Sequence, residues 1–398
     1  MRVRHLSLTN FRLYARLELD LPDGLIVVEG DNAQGKTTLL EAIYLLATAR
    51  SPHAAADRQV IRWGAEADSP FPFALLRAEL RRHDGLHTIE LLIQQSEGKR
   101  LRKQIRVNRN PCRASDLAGW LRVVLFMPGD VELVSGPPAL RREFLDAALV
   151  QVSREYAHAL EQYQQTLAQR NALLRRAMEQ GRPPDADALA VLDEQLIPAG
   201  VTIALHRQSA IAALNRLAMP IHRELSEGRE MLHLIYHPNF DPAHPPVERA
   251  YQLGLDESIA PSTLSRSELT EAFRQALRQR RREELLRGMT LVGPHRDDAR
   301  FMNDGMDLGE FGSRGQQRTA VLATKLAQIE WMEMQTDETP VLLLDEALAE
   351  LDLRRRRSLL RYVARCEQAI ITTTDIHNLG EELRQRATVL HVREGVVW

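Results

Sequence analysis

The residues whose types and spacing best suit chemistry are Gly30-Asp31-Asn32-Ala33-Gln34-Gly35-Lys36-Thr37, a G-x-x-x-x-G-K-S/T pattern followed by Thr38. The glycines permit a loop whose backbone N–H groups turn inward around a β-phosphate, and the start of the following helix adds its dipole. Lys36 is expected to reach β- and γ-oxygens, and the Thr37 hydroxyl to coordinate Mg²⁺. Lysine stands only at positions 36, 99, 103 and 325; every other basic position is arginine. A compact ammonium suits phosphate at position 36 better than a planar fork would. A second candidate lies far downstream, where the apolar run Val341-Leu342-Leu343-Leu344 ends in Asp345-Glu346. There Asp345 is expected to support the Mg²⁺ shell and Glu346 to act as general base on an attacking water. Such a run is common alone; the phosphate loop gives it its meaning.

These groups need elements to position them. Residues 2–8 and then Leu17, Leu19 and Leu21 alternate as half-buried strands, and Leu25-Ile26-Val27-Val28 reads as a buried strand feeding the loop. Leu39, Leu40, Ile43, Leu46 and Ala47 fall on one face of the helix expected behind it. Three strands follow, Phe73 to Leu80, Thr88 to Ile93 and Arg102 to Val107, with turns at His83-Asp84-Gly85 and Ser96-Glu97-Gly98. Val123 to Met127 is another strand, stopped by Pro128. From about Ala139 a helical stripe runs through Leu145, Leu149, Val152, Tyr156, Leu160, Tyr163, Leu167 and Leu174. Gly181 to Pro184 breaks it, and a second helical stretch, kinked at Pro198, runs from about Asp187 to Leu225. This pair reads either as a helical hairpin on a side lobe or as two ordinary core helices. A strand at Met231 to Tyr236, a proline-rich loop at Asp241 to Pro246 and a polar helix at Ser267 to Leu286 follow. Residues 290–398 return to strand–helix–strand: Val341 to Leu344, Arg354 to Arg365, Ala369 to Thr373.

Ser313-Arg314-Gly315-Gln316-Gln317-Arg318 precedes the acidic strand, and Glu350-Leu351-Asp352 follows it. Taken alone, Ser-Arg-Gly-Gln is a helix cap. In the order phosphate loop, S-x-G-Q, acidic strand and loop ending in Asp, the chain resembles the ABC ATPases. That resemblance implies Ser313 and Gly315 on the γ-phosphate of ATP held by a partner subunit, and adds Gln316 and Asp352 to the nucleotide-binding set. It implies an ATP-bound homodimer with two shared sites. Thr372-Thr373-Thr374-Asp375 stands where transporter-type ABC ATPases carry a γ-phosphate-sensing histidine. Thr374 can hydrogen-bond phosphate but carries no positive charge. Weak hydrolysis is expected, with ATP acting as a dimer switch.

Further segments narrow the resemblance. Phe11-Arg12, Phe126-Met127-Pro128-Gly129-Asp130, Arg141-Arg142-Glu143-Phe144-Leu145-Asp146, Gln169-Arg170-Asn171-Ala172-Leu173-Leu174 and Gly293-Pro294-His295-Arg296-Asp297-Asp298 are similar to the bacterial RecF family, from about residue 2 to 375. The resemblance implies an α/β fold: an ABC-type ATPase head of mixed sheet and flanking helices at 1–138 and 289–398. A mainly helical lobe with a short hairpin is inserted at 139–288, like a Rad50 head without its long coiled coil. It implies a cytoplasmic protein of recombinational DNA repair, replication and the SOS response. Its partners would be single- and double-stranded DNA at gaps or junctions, and RecR, with RecO and RecA downstream. ATP and Mg²⁺ are the implied cofactors. Glu346, Arg314, Gly129 and Leu192 depart from the residues commoner in that family.

Composition bounds the rest. Hydrophobic residues at 44% and charged residues at 27% describe a globular chain. The apolar runs read as strand-sized, short of a membrane span, and Met1 to Leu6 lacks the apolar core of a secretory signal. Cys112 and Cys366 have no metal spacing. A net charge of -2 confines any DNA site to a local patch. Three basic clusters qualify: Arg278, Arg280, Arg281, Arg282 and Arg287; Arg354 to Arg357; and Arg100, Arg102, Lys103 and Arg106. Each reads as a phosphate-neutralising surface or as a solvated face. Few aromatics accompany them, so base stacking is not indicated. His295 with Asp297 and Asp298 fits no common metal spacing and reads as loop packing. Three other classes fit less well. A transporter subunit would be shorter and carry the switch histidine, an SMC- or Rad50-like ATPase needs hundreds of heptad residues, and a metabolic P-loop kinase would lack S-x-G-Q.

Overall fold

The computed structural model describes the chain except residues 55, 66–69, 97–100, 241–264, 349–350 and 380. The turn expected at 97–98, Arg100, the proline-rich loop and Glu350 lie outside the described residues. In chain order the strands begin with β1 (Arg2–Phe11), β2 (Tyr14–Asp20), β3 (Gly24–Glu29), β4 (Phe73–Arg82) and β5 (Gly85–Gln95). Next come β6 (Leu101–Val107), β7 (Asn110–Cys112), β8 (Val123–Phe126), β9 (Leu232–His237) and β10 (Asp298–Asn303). The last are β11 (Met306–Asp307), β12 (Val341–Asp345), β13 (Gln368–Thr373), β14 (Ala387–Arg393) and β15 (Val396–Val397).

Internal packing divides the chain into two units, Met1–Asp130 with Lys325–Trp398, and Val131–Thr324. The sequence boundaries stood at 138 and 289. Residues 289–324, with the S-x-G-Q run, fall in the inserted unit because β10 and β11 form a sheet in the order β11-β10-β9.

The first unit holds two six-stranded sheets, ordered β2-β1-β4-β5-β6-β7 and β15-β14-β3-β13-β12-β8. The former is antiparallel and shows the alternation expected of it: Ala74, Leu76, Ala78 and Leu80 of β4, and Ile89, Leu91 and Ile93 of β5, are buried. In the latter, β14, β3, β13, β12 and β8 run parallel. β12 and β13 are buried at every position, which is why Val341 to Leu344 reads as an unbroken apolar run. The helix Lys36–Thr48 shares one core with both sheets through Leu39, Leu40, Ile43 and Leu46. Gln368 ties the sheets together: its fully buried amide accepts from Val3 N at 2.8 Å and donates to Val3 O at 2.8 Å.

In the second unit the stripe from Ala139 is two helices, Pro138–Val152 and Arg154–Gln180. Ser153 splits them because its backbone is extended and its hydroxyl accepts from Tyr156 N, an N-cap that apolar spacing does not reveal. Helix Ala186–Leu225 runs through Pro198 and Pro220. It is long and apolar enough by composition to cross a membrane, and over half of its most apolar window is buried. It carries the buried Arg207 and packs on Arg154–Gln180, Arg266–Arg287 and β9, so it reads as a core helix. No contiguous apolar run marks it in the sequence, because polar residues such as Asp193, Arg207 and Arg216 interrupt it.

Three of the segments singled out as family-like, those beginning at Arg141, Gln169 and Gly293, meet in this unit in buried polar contacts. Arg141 makes a bidentate pair with Asp298 at 2.7 and 3.1 Å, and Arg142 donates to the Asp297 carbonyl at 2.7 Å. Arg207 pairs with Asp146 at 2.6 Å. Arg170 joins Asp193, Glu284 and Thr290 at 2.7–2.8 Å, and Asn171 accepts from Thr290 N at 2.7 Å. Tyr236 hydrogen-bonds to Asp297, which also accepts from Asn239 N at 2.7 Å. Buried charges stay ionised only when partnered this fully.

Candidate nucleotide site

β3 ends at Glu29, and the chain turns through Gly30–Gly35 into the helix Lys36–Thr48. The turn needs left-handed backbone at Ala33 (φ 63°) and Gly35 (φ 115°). Gly30 is fixed by space instead: a Cβ there would lie 2.3 Å from Val392 O of β14. At Gly35 a Cβ would meet Tyr14 Oη at 2.8 Å, and that hydroxyl donates to Gly35 O at 3.1 Å. Gln34 accepts from Glu394 N at 2.6 Å through its side chain and from Gly395 N at 3.3 Å through its carbonyl. The loop is therefore held from β2 and from the β14–β15 turn. Asp31, Asn32 and Ala33 face outward, while Thr38 is half-buried.

Lys36 is 4% exposed, and its Nζ donates to Gly30 O at 2.7 Å and Asp31 O at 3.0 Å. It also stands 3.3 Å from Glu346 Oε1. Thr37 Oγ1 is 2.9 Å from each carboxylate oxygen of Asp345. Helix start and acidic strand, 308 residues apart, thus form one cluster. The donor set fits a phosphate chain with a hard divalent cation: inward loop and ammonium for the anion, hydroxyl and carboxylate oxygens for the metal. Glu346 adopts φ 48°, and its N–H bonds to Thr372 Oγ1 at 3.0 Å.

The other expected site residues lie as follows. Thr374 is exposed on the bend after β13. Asp352 caps the helix Leu353–Arg365, accepting from Arg355 N at 2.9 Å. Ser313 and Gln316 form a reciprocal cap on Arg314–Thr336: Gln316 N donates to Ser313 Oγ at 3.3 Å, and Ser313 N to Gln316 Oε1 at 2.9 Å. Gln316 Nε2 also donates to Glu230 at 3.0 Å, and the Gly315 carbonyl accepts from Thr319 Oγ1 at 2.8 Å. The cap takes up the Gln316 N–H, and Gln317 N–H donates to Ser313 O at 2.9 Å.

Sequence reasoning passed over several residues here. Thr372 was read only as part of a threonine run. Lys325, noted merely as a rare lysine, donates to Leu125 O at 2.5 Å and pairs with Asp130 at 2.5 Å. It fixes the Phe126–Asp130 segment from helix Arg314–Thr336. Lys103 similarly holds Ala49 O at 2.9 Å. Every described lysine thus clamps a backbone carbonyl. Arg12, whose backbone is left-handed (φ 52°), makes a bidentate pair with Glu41 of the phosphate-loop helix at 3.0 and 2.6 Å.

The basic clusters are partly self-paired. Arg280 and Arg287 both bind Glu283, Arg281 binds Asp193, Arg106 binds Glu90 and Arg355 binds Asp352. No group of three or more His, Cys, Asp or Glu suited to a metal occurs among the described residues, and His295 is engaged by Tyr163 Oη at 2.7 Å. Cys112 and Cys366 are free thiols.

Fold and cluster together define an ABC-type ATPase head of the SMC class. Residues 2–397 match the model of the RecF/RecN/SMC N-terminal domain. The chain is 41% identical to the DNA replication and repair protein RecF of Herpetosiphon aurantiacus, covering 100% of both chains. It is 38% identical to that of Geobacillus thermodenitrificans, covering 100% of this chain and 99% of the relative. Among solved structures, the recombination mediator protein RecF-ATPrS of the RecFOR pathway superimposes with a TM-score of 0.82 at 28% identity, over 100% of this chain and 97% of that one. The Smc head domain of Pyrococcus furiosus, at 14% identity, covers 99% of this chain and 94% of its own with a TM-score of 0.50, a likeness of fold alone. The chain belongs to the RecF family.

Proposed function

We propose that this chain is an ATP-dependent DNA-binding protein of recombinational repair and replication-fork maintenance. Two copies close on ATP, hold single- or double-stranded DNA at gaps or junctions, and with RecR and RecO promote RecA loading. The observation that carries the reading is the four-residue cluster of Lys36, Thr37, Asp345 and Glu346. In support, relatives bear the name DNA replication and repair protein, and two similar solved structures are RecF-ATPrS and RecF-ATP of the RecFOR pathway.

Lys36 and the loop N–H groups would hold the phosphates, Thr37 and Asp345 a Mg²⁺ ion, and Glu346 would orient the attacking water. Bound Mg²⁺ would supply charge neutralisation on the phosphates. Ser313, Gly315 and Gln316 would cap the triphosphate of a partner copy, with Asp352 and Thr374 bordering it. Thr374 brings no positive charge, so hydrolysis would be slow and DNA-stimulated, a switch rather than a motor. Turnover that is fast without DNA in a steady-state assay counts against this. Such a protein would work in the cytoplasm.

The test is sizing the protein by light scattering with and without ATP. Wild type is expected to dimerise on ATP; Lys36→Arg, with weakened nucleotide binding, and Ser313→Arg, with the cap blocked, are expected to stay monomeric. Normal ATP-dependent dimers of Ser313→Arg would refute the shared site.

A further inference from the structure

We propose that Thr372 is a positioning residue of the nucleotide site, and that its single hydroxyl sets the geometry of both Asp345 and Glu346. The inference rests on the nucleotide chemistry proposed above and extends it to a residue outside the family-like motifs.

Thr372 lies on β13 as the direct register partner of Asp345 on the parallel strand β12. It is 1% exposed, so no water competes for its hydroxyl. Oγ1 donates to Asp345 Oδ1 at 2.7 Å and accepts from Glu346 N at 3.0 Å. The other acceptor within reach, Leu344 O, is 3.5 Å away, too long to compete for the one proton. A β-branched side chain in a strand has little χ1 freedom, so the hydroxyl is aimed by the backbone itself.

Each bond does something different. The bond to Oδ1 holds the Asp345 carboxylate against rotation, which keeps Oδ2 beside the Thr37 hydroxyl, 2.9 Å away, on the edge proposed to meet the cation. The bond from Glu346 N satisfies a backbone donor that has left the sheet, because Glu346 sits at φ 48° where a non-glycine residue is strained. That left-handed turn sends the Glu346 side chain toward Lys36 Nζ, 3.3 Å away. One hydroxyl therefore couples the proposed metal carboxylate to the proposed base. Thr374 cannot do this from its exposed bend.

The experiment compares wild type with Thr372→Val, Thr372→Ala and Thr372→Ser. Binding of a fluorescent ATP analogue is measured with Mg²⁺ and with EDTA, alongside ATP turnover and melting temperature. Loss of the hydroxyl should leave binding in EDTA within about 2-fold, cut the Mg²⁺-dependent gain in affinity by about 10-fold, and lower kcat by about 10- to 100-fold with KM little changed. Thr372→Ser should restore all three to within about 3-fold of wild type. Wild-type Mg²⁺ dependence and kcat in Thr372→Val would overturn the proposal. So would a Thr372→Ser as impaired as Thr372→Val, which would make the methyl group the important one. If neither hydroxyl-less variant folds while Thr372→Ser behaves as wild type, the hydroxyl is structural and the proposal is equally overturned. Wild-type protein that binds no nucleotide in either condition would sink the ATP reading itself, a result distinct from all of these.

Discussion

Thr37 Oγ1 stands 2.9 Å from both carboxylate oxygens of Asp345, so one hydroxyl at a helix start and one carboxylate at a strand end form a single cation-ready edge. Asp345→Asn keeps the shape, removes the charge and turns half of the acceptor into a donor. The expected result is near-normal melting with Mg²⁺-dependent nucleotide affinity reduced at least about 10-fold, roughly 1.4 kcal/mol. Titration of labelled ATP with and without Mg²⁺ checks it. Unchanged Mg²⁺ dependence would remove Asp345 from the metal site.

Gly30 is pressed against the β14 backbone. A methyl group at Gly30→Ala would sit 2.3 Å from Val392 O, and a backbone carbonyl cannot swing aside as a flexible side chain can. The substitution should cost about 1–3 kcal/mol in a denaturant titration, as overpacking does, and should lower nucleotide affinity as the loop shifts. Wild-type stability would mean that β14 yields easily.

Arg170 is fully buried, as is Glu284, and its guanidinium also reaches Asp193. Arg170→Ala leaves the fully buried Glu284 without its cation, while Asp193 keeps Arg281; stranding a buried charge in this way typically costs about 3–5 kcal/mol. Urea unfolding should show the loss. A change below about 1 kcal/mol would mean that the network relaxes around the gap.

His295 supplies a pH dependence. Its Nε2 lies 3.1 Å from the Thr290 carbonyl, which can only accept, so Nδ1 is the acceptor for Tyr163 Oη. Burial pushes the ring down from 6.5 to about 4. As pH falls below 6.5 the unfolded chain takes up this proton first, and stability is lost progressively until about pH 4. The ceiling is about 3 kcal/mol. Asp297 acts in the other direction: burial pushes its carboxyl up to about 6, so the folded form takes up a proton between about 6 and 3.8 and gains stability on acidification. The Asp297 contribution cancels when His295→Gln is compared with wild type at each pH. The stability advantage of wild type should shrink between pH 7 and 4; a constant gap would show that His295 does not titrate in this window.

The phosphate loop and the acidic strand were legible because each is a local pattern: eight residues of fixed spacing, and four apolar residues ending in two acids. What depends on register was not. Nothing in Thr372-Thr373-Thr374 tells which hydroxyl meets Asp345 until β12 and β13 are aligned; the likeness to transporter-type ABC ATPases draws the eye to Thr374, which is exposed. The hold of Glu394 on Gln34 is equally invisible in a linear reading. β14 is hard to see in the sequence because only one of its seven positions is buried, so its apolar pattern is faint. The Ser153 break was hidden because two consecutive helices can share one stripe. The family-like segments carried no chemistry in isolation; the meaning of three of them appeared when Arg141, Asp146, Arg170 and Asp298 met their partners in buried polar contacts.

The backing of Gly30 by Val392 has a consequence for biosynthesis. A ribosome makes the phosphate loop long before β12, β13 and β14, the strands that brace it. The nascent loop must stay open while more than three hundred residues are added. Nucleotide therefore cannot template folding of this head from its N-terminal end. It can only reward a head whose bracing strands have already slid into place.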